Sequence, residues 1–284
     1  MKEVTITKTL EGKEGISVVL NDFCEGRGFI SDLWLTFHYP LEIAGEPIEH
    51  ILLLKEGKEK EVYMDVHNGN ILLLWGMLKY SYGHIGPLGA NEDRMTLTVP
   101  SIVSYTKRAV LPLDEKWRLE IRWQESEIDK VELLMQTALF GEGETIYDFL
   151  PQGPSIPRMT HDTVEGNGTI EYPLPVGGTL LETMIFSKGE KAPGDVIISG
   201  REKFLKAPWI YLAVLTRREF DFYMEDVVML PWNKIPLWWD DSFSPIWRRG
   251  EGLDLTYTKA GDVTIKIEGC KGPIHFLNVR IPYN

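Results

Sequence analysis

The chain has 284 residues, 43% hydrophobic and 25% charged, with 30 Lys and Arg against 42 Asp and Glu. That apolar content is enough to offset chain entropy, which argues against disorder, and the length suits two ordinary domains or one large one. The formal charge of −12 repels phosphate backbones, so no specific nucleic-acid partner is expected.

The basic pairs Lys107–Arg108, Arg217–Arg218 and Arg248–Arg249 are short and read as solvated faces or subunit contacts. Cys24 and Cys270 do not form a CxxC pair and are read as buried small hydrophobes. The N-terminus alternates like a strand and lacks the apolar core of a signal peptide. No run reaches the ~18 apolar residues of a membrane helix. No transmembrane segment is therefore expected, and synthesis is expected in the cytoplasm.

Strand signals begin at 4–9, 16–21 and 28–37, the last alternating polar and apolar residues at a period near two. Short strands follow at 50–54 and 61–66. Asn68-Gly69 reads as a hairpin turn, because both residues tolerate positive φ. The apolar run 71–82 fits either a central strand or a short buried helix, and a glycine-rich loop follows over 82–92. Met95, Leu97 and Val99 alternate with threonines. Trp117, Leu119, Ile121 and Trp123 alternate with Arg118, Glu120 and Arg122 in the clearest strand, so these four should face one core. Val131, Leu133, Met135, Thr137 and Leu139 mark another strand on one parity.

Glycines and prolines then punctuate 141–168 without a sustained period, and a domain boundary is expected there, giving domains 1–145 and 146–284. Strands resume at 169–172, 179–186, 196–199, 209–215, 220–229, 253–258, 263–268 and 275–281. Asn167, Gly168 and Thr169 match the glycosylation sequon and are read as a turn. No window shows a sustained helical apolar stripe. Many short strands in two halves, each ending in two strands after a longer loop, predict an all-β protein of two tandem jelly-roll β-sandwiches.

The segment Ile16, Ser17, Val18, Val19, Leu20, Asn21, Asp22 and Phe23, followed by Gly26, Gly28, Ile30 and Leu33-Trp34-Leu35-Thr36, resembles the first strands of the double jelly-roll superfamily. Met95 to Pro100 with Ala109 to Trp123 resembles the closing strands of such a sandwich. The superfamily includes major capsid proteins of icosahedral double-stranded DNA viruses and glycoside hydrolases related to difructose-anhydride synthase. The chain is short for the hydrolases and lacks their opening signature rich in Gly, Asn and Asp. Resemblance to the capsid proteins implies a self-assembling virion protein whose homotrimers form pseudo-hexagonal tiles.

Residues that could carry chemistry are sparse. The histidines at 38, 50, 67, 84, 161 and 275 show no HExxH spacing. Asp65 and His67 share a strand face by parity and are read as part of a surface turn. No metal, cofactor or catalytic residue is expected from the sequence. There is no GxxxxGK[ST], GxGxxG or GxSxG motif.

The stretch 231–239 is too apolar for a solvated loop. Trp232, Trp238, Trp239, Asp240, Asp241 and Trp247 are the candidate ligand or interface residues. Carboxylates among aromatic rings suit a carbohydrate cleft, and aromatic residues are equally enriched at interface cores. The functional expectation is a capsid-type structural protein. The alternative is a double jelly-roll glycoside hydrolase or carbohydrate-binding protein using 232–247.

Overall fold

The computed structural model describes residues 1–40, 47–80, 94–103, 105–124, 128, 130–189, 191–200, 203–220, 224–233, 247–248, 252–256 and 258–282. The chain divides into two compact units, Met1–Met159 and Thr160–Asn284. Cys24 and Cys270 are both free thiols; Cys270 is buried as expected, whereas Cys24 is only half-buried.

The first unit holds β1 (Lys2–Leu10), β2 (Gly15–Val19), β3 (Gly28–Pro40), β4 (Ile48–Glu56), β5 (Glu61–His67), β6 (Arg94–Pro100), the short β7 (Leu111–Pro112), β8 (Lys116–Trp123) and β9 (Lys130–Leu139). Helix α1 (Gly69–Tyr80) lies between β5 and β6, and one helical turn, α2 (Ile146–Phe149), follows β9. One sheet runs β1-β9-β3-β6, with β7 on β3, and the other runs β5-β4-β8-β2. With β7 set aside, these orders are first-eighth-third-sixth and fifth-fourth-seventh-second. That is the eight-stranded, double Greek-key pattern of a jelly roll.

The second unit repeats the pattern. Its main strands are β10 (Arg158–Val164), β11 (Asn167–Pro173), β12 (Thr179–Ser187), β13 (Asp195–Ser199), β14 (Lys203–Pro208), β15 (Val227–Pro231), β18 (Thr264–Lys271) and β19 (Ile274–Ile281). Helix α3 (Trp209–Phe220) again follows the fifth strand, and the small strands β16 (Trp247–Arg248) and β17 (Gly252–Asp254) precede the seventh. One sheet carries β10-β19-β12 with β15 on β12, and the other runs β11-β18-β13-β14. The protein is thus a tandem of two jelly-roll sandwiches, as the strand patterning predicts.

Period-two side chains explain the registers. In the first unit Leu33, Leu35 and Phe37 of β3 stand opposite Met135, Leu133 and Val131 of β9, and all six are buried. Trp117, Leu119, Ile121 and Trp123 are buried together, as expected for one face of β8. Ile51 and Leu53 of β4 lie opposite Ile121 and Leu119 on one side, and opposite Val66 and Met64 on the other. In the second unit Phe276, Ile185 and Val228 form one such cross-strand row.

The run 71–82, open between strand and helix, is helical over its described part. Other readings need correction. Asn68-Gly69 leads into that helix instead of a hairpin. Asn68 does take a positive φ of 98°, but its Oδ1 accepts the Asn70 N–H at 2.9 Å, as a helix-entry residue does. The stretch 209–215 is the start of α3, not a strand. Trp209, Leu212, Ala213 and Thr216 are buried at the i, i+3, i+4, i+7 spacing of one helix face. The expected strand 220–229 shortens accordingly to β15. Strands β10 and β14 lie where no strand is predicted.

Helix α1 packs tightly on β6. A Cβ at Gly76 would stand 2.7 Å from Pro100 Cδ and closer still to Cγ. Alanine at a helix position ordinarily stabilises by ~1 kcal/mol over glycine. Here overpacking should reverse the sign, so Gly76→Ala is expected to destabilise by about 1–3 kcal/mol. Urea unfolding of the full chain checks this, and a stabilised variant would refute the packing.

Candidate functional site

The expected site residues fall in different settings. Trp232 directly follows β15 and is fully buried in the second sandwich. Its backbone N–H donates to Leu181 O at 3.0 Å. Trp247 lies in β16, which pairs with β17 through Trp247↔Leu253. Strand β17 in turn pairs with β12 at Thr179 and Leu180. Trp238, Trp239, Asp240 and Asp241 lie outside the described residues. Both flanks of the 232–247 segment are therefore fastened to β12.

Trp232 also begins a polar chain through the interior of this unit. Its indole N–H donates to Thr183 Oγ1 at 2.9 Å. Thr183 donates to Asn278 Oδ1 at 2.8 Å, and Asn278 Nδ2 donates to Tyr172 OH at 2.6 Å. Tyr172 donates to Asp162 Oδ2 at 2.5 Å. Thr183 and Asn278 have no exposure, while Asp162 is exposed. Burial first, then the Asp162 carboxylate, push the Tyr172 phenol far above its ordinary range. Tyr172 stays protonated and acts as a donor, and the chain ties β10, β11, β12 and β19 together.

On the first unit an open cleft of about 700 Å³ is lined by Glu14, Glu49, Glu120, Arg122, Trp123 and Gln124, among others. A sugar cleft needs exposed ring faces beside its carboxylates. Trp123 is 2% exposed and offers none.

Charged contacts tie the strand ends of the same sheet. Glu56 of β4 pairs with Lys116 at 2.6 Å and with Arg118 of β8. Lys55 bridges Glu61 at 3.0 Å and Glu115 at 3.3 Å. A third polar group joins His50 to Asp65 and His67, the pair that strand parity already relates. His50 Nε2 lies 2.8 Å from Asp65 Oδ1, and His67 Nε2 lies 3.3 Å from the same atom. The expectation for Asp65 and His67 was a turn, but both belong to β5. Exposed on the second unit are Ile210, Tyr211 and Val214, at 48%, 46% and 50%, on one side of α3. No helix among the described residues is long and apolar enough to cross a membrane.

Strand order, two-fold repetition and the helix after each fifth strand define a double jelly-roll protein. Comparison with solved structures bears this out over nearly the whole chain. The major capsid protein of STIV superposes with a TM-score of 0.70 at 12% identity, covering 99% of this chain and 98% of that one. The major capsid protein P2 from bacteriophage PM2 gives 0.62 at 12% identity, with 98% of each chain covered. A chain of the Sputnik virophage gives 0.54 at 6% identity, covering 98% of this chain and 85% of that one. No protein-family model and no curated protein matches the sequence.

Two predictions follow from these contacts. Thr183→Val removes the acceptor of the Trp232 indole and the donor to Asn278. It is expected to cost about 1–3 kcal/mol, as for other buried polar groups deprived of a partner. Combined with Tyr172→Phe, the loss should fall short of the sum of the single losses, because both act on one chain. A double-mutant cycle by chemical denaturation measures the coupling, and strict additivity would contradict it.

The second concerns pH. Hydrogen bonds from Arg118 and Lys116 hold Glu56 at about 2, down from the ordinary 4.5. A depressed folded-state value gives stability that is complete above the unfolded value and lost as pH falls through the folded one. The stability gap between wild type and Glu56→Gln is thus expected to be constant near neutrality and to close between about pH 4.5 and 2. Denaturation series across that range test it.

Proposed function

We propose that this protein is a capsid-type structural protein that self-assembles into homotrimers and builds a virion shell. One observation carries the reading: the complete double jelly roll, matched end to end by viral major capsid proteins. In this reading three chains with two similar sandwiches each make a six-lobed, pseudo-hexagonal tile, and closed symmetry repeats each contact. The chain is made in the cytoplasm and ends in the virion.

Within the 232–247 segment, the residues beyond Trp232, which is buried in its own sandwich, supply subunit contacts. The segment's apolar composition, and the fastening of both flanks to β12, support a contact that costs little entropy to order. The exposed apolar side of α3 serves a neighbouring copy in the same way. Scattered apolar side chains need no explanation, but Ile210, Tyr211 and Val214 are adjacent on one helix face.

Light scattering of the purified chain should give three times the 32.5 kDa chain mass, and electron microscopy should show flat six-lobed particles or closed shells. Ile210→Ser with Val214→Ser, both at exposed positions, is expected to retain the wild-type circular dichroism while shifting the mass towards monomer, with unfolding becoming less dependent on protein concentration. A strict monomer, in isolation and in its native source, would overturn the assignment. Oligosaccharide hydrolysis abolished by Asp240→Asn or Asp241→Asn would replace it with the glycoside-hydrolase reading.

A further inference from the structure

We propose that His50, Asp65 and His67 form a binding site for one divalent transition-metal ion of the zinc class. The three residues are not brought together by sequence spacing. His50 sits on β4 and the other two on β5, and the antiparallel register places His50 directly opposite His67 and Leu52 opposite Asp65. Cross-strand partners share a face, as do residues two apart on one strand. All three side chains therefore rise from the same outer face of the sheet, away from the buried row of Ile51, Leu53, Met64 and Val66.

The donor atoms already converge. Both Nε2 atoms approach Asp65 Oδ1, at 2.8 Å and 3.3 Å, and the three ligand atoms lie within 4.8 Å of one another. Ligands about 2.0–2.1 Å from a tetrahedral zinc ion stand roughly 3.3 Å apart. The imidazole rings are stacked, 4.4 Å apart and 10° from parallel, so admitting the ion requires the exposed His67 ring to turn about its side-chain torsions until both in-plane lone pairs meet it.

The donor set selects the ion. Two imidazoles and one carboxylate suit zinc, copper or nickel, whereas calcium and magnesium take oxygen ligands. Three protein ligands leave the fourth position to water. Graded exposure fits a site reached from solvent: the His50 side chain is 21% exposed, Asp65 38% and His67 61%. On the neighbouring strand Arg122 stands beside His50 and Glu120 beside Leu52, and their charges offset. The bound ion would join β4 to β5 at the pair farthest from their connecting turn.

The test uses the full-length chain, stripped with a chelator and dialysed. Calorimetric titration with zinc chloride is expected to show one equivalent bound, and cobalt substitution should give the intense visible absorption of a four-coordinate ion. Zinc should raise the thermal midpoint of the wild type. His67→Ala, at an exposed strand end, should retain the wild-type circular dichroism and lose at least about tenfold in zinc affinity, a loss seen even when only an outer-shell partner of a ligand is removed. Asp65→Asn should weaken binding likewise. No stoichiometric zinc uptake by the wild type, or uptake unchanged in both variants, would overturn the proposal. Because the readouts are metal binding and unfolding, a monomeric protein would refute the capsid reading and leave this one standing.

Discussion

Each sandwich depends on the insertion of its last strand between its first and third. In the first unit β9 pairs along its whole length with β1, from Lys2↔Leu139 to Leu10↔Val131. Its other edge pairs with β3, from Gly28↔Leu139 to His38↔Lys130. Until those residues arrive, β1 has no partner on that side and β3 is paired only with β6 and the short β7. The second unit repeats the device with β19 beside β12. Contacts of such sequence separation carry a large loop-closure cost, so folding should be slow relative to helical proteins of this size.

Legibility in the sequence followed how far local pattern alone decides structure. Strand β8 alternates strictly between buried and less buried positions, β9 does so as far as Thr137 and β18 as far as Ile267, and all three are readable directly. Strand β10 is hidden because Met159 and His161 alone mark its inner parity and prolines precede it. In β14 the inward residues described are Leu205 and Ala207, too few to set a period. Helix α3 opens with Trp-Ile-Tyr-Leu-Ala-Val-Leu, a run that β propensity claims first. The decisive signal there, the spacing of Trp209, Leu212, Ala213 and Thr216, emerges only when the whole segment is taken as a helix. The His50 cluster was half visible. Parity relates Asp65 to His67, but His50 joins them only through the register of β4 on β5, which includes a shift between Leu53 and Leu54. The polar chain from Trp232 to Asp162 draws on four separate strands and has no linear signature.

The two sandwiches share a strand order but not an interior. The first closes on apolar rows from both sheets, while the second carries the Thr183–Asn278–Tyr172 chain at the level of its central strands. Strands β15 and most of β19 are buried on both faces, whereas β8 exposes alternate residues at least in part. Equal topology with unequal cores means that the architecture constrains strand order and sheet curvature far more than side-chain identity. This accounts for a full-length structural match at 12% identity.

The polar interior of the second unit has a consequence for a chain that contains the same topology twice. Tandem domains of like architecture risk exchanging equivalent strands during folding. The last strands, β9 and β19, are the natural candidates, since each must find a slot between a first and a third strand. A β19 lodged beside β3 would place Asn278 among Leu33, Leu35 and Phe37, away from Thr183 and Tyr172. A buried amide without partners costs about 1–3 kcal/mol. In the reverse exchange, β9 beside β12 would strand Thr183 against an apolar row and leave the Tyr172 hydroxyl without its amide donor. The hydrogen-bonded chain thereby acts as an address label, penalising the swapped product in both halves and favouring return of each strand to its own sandwich.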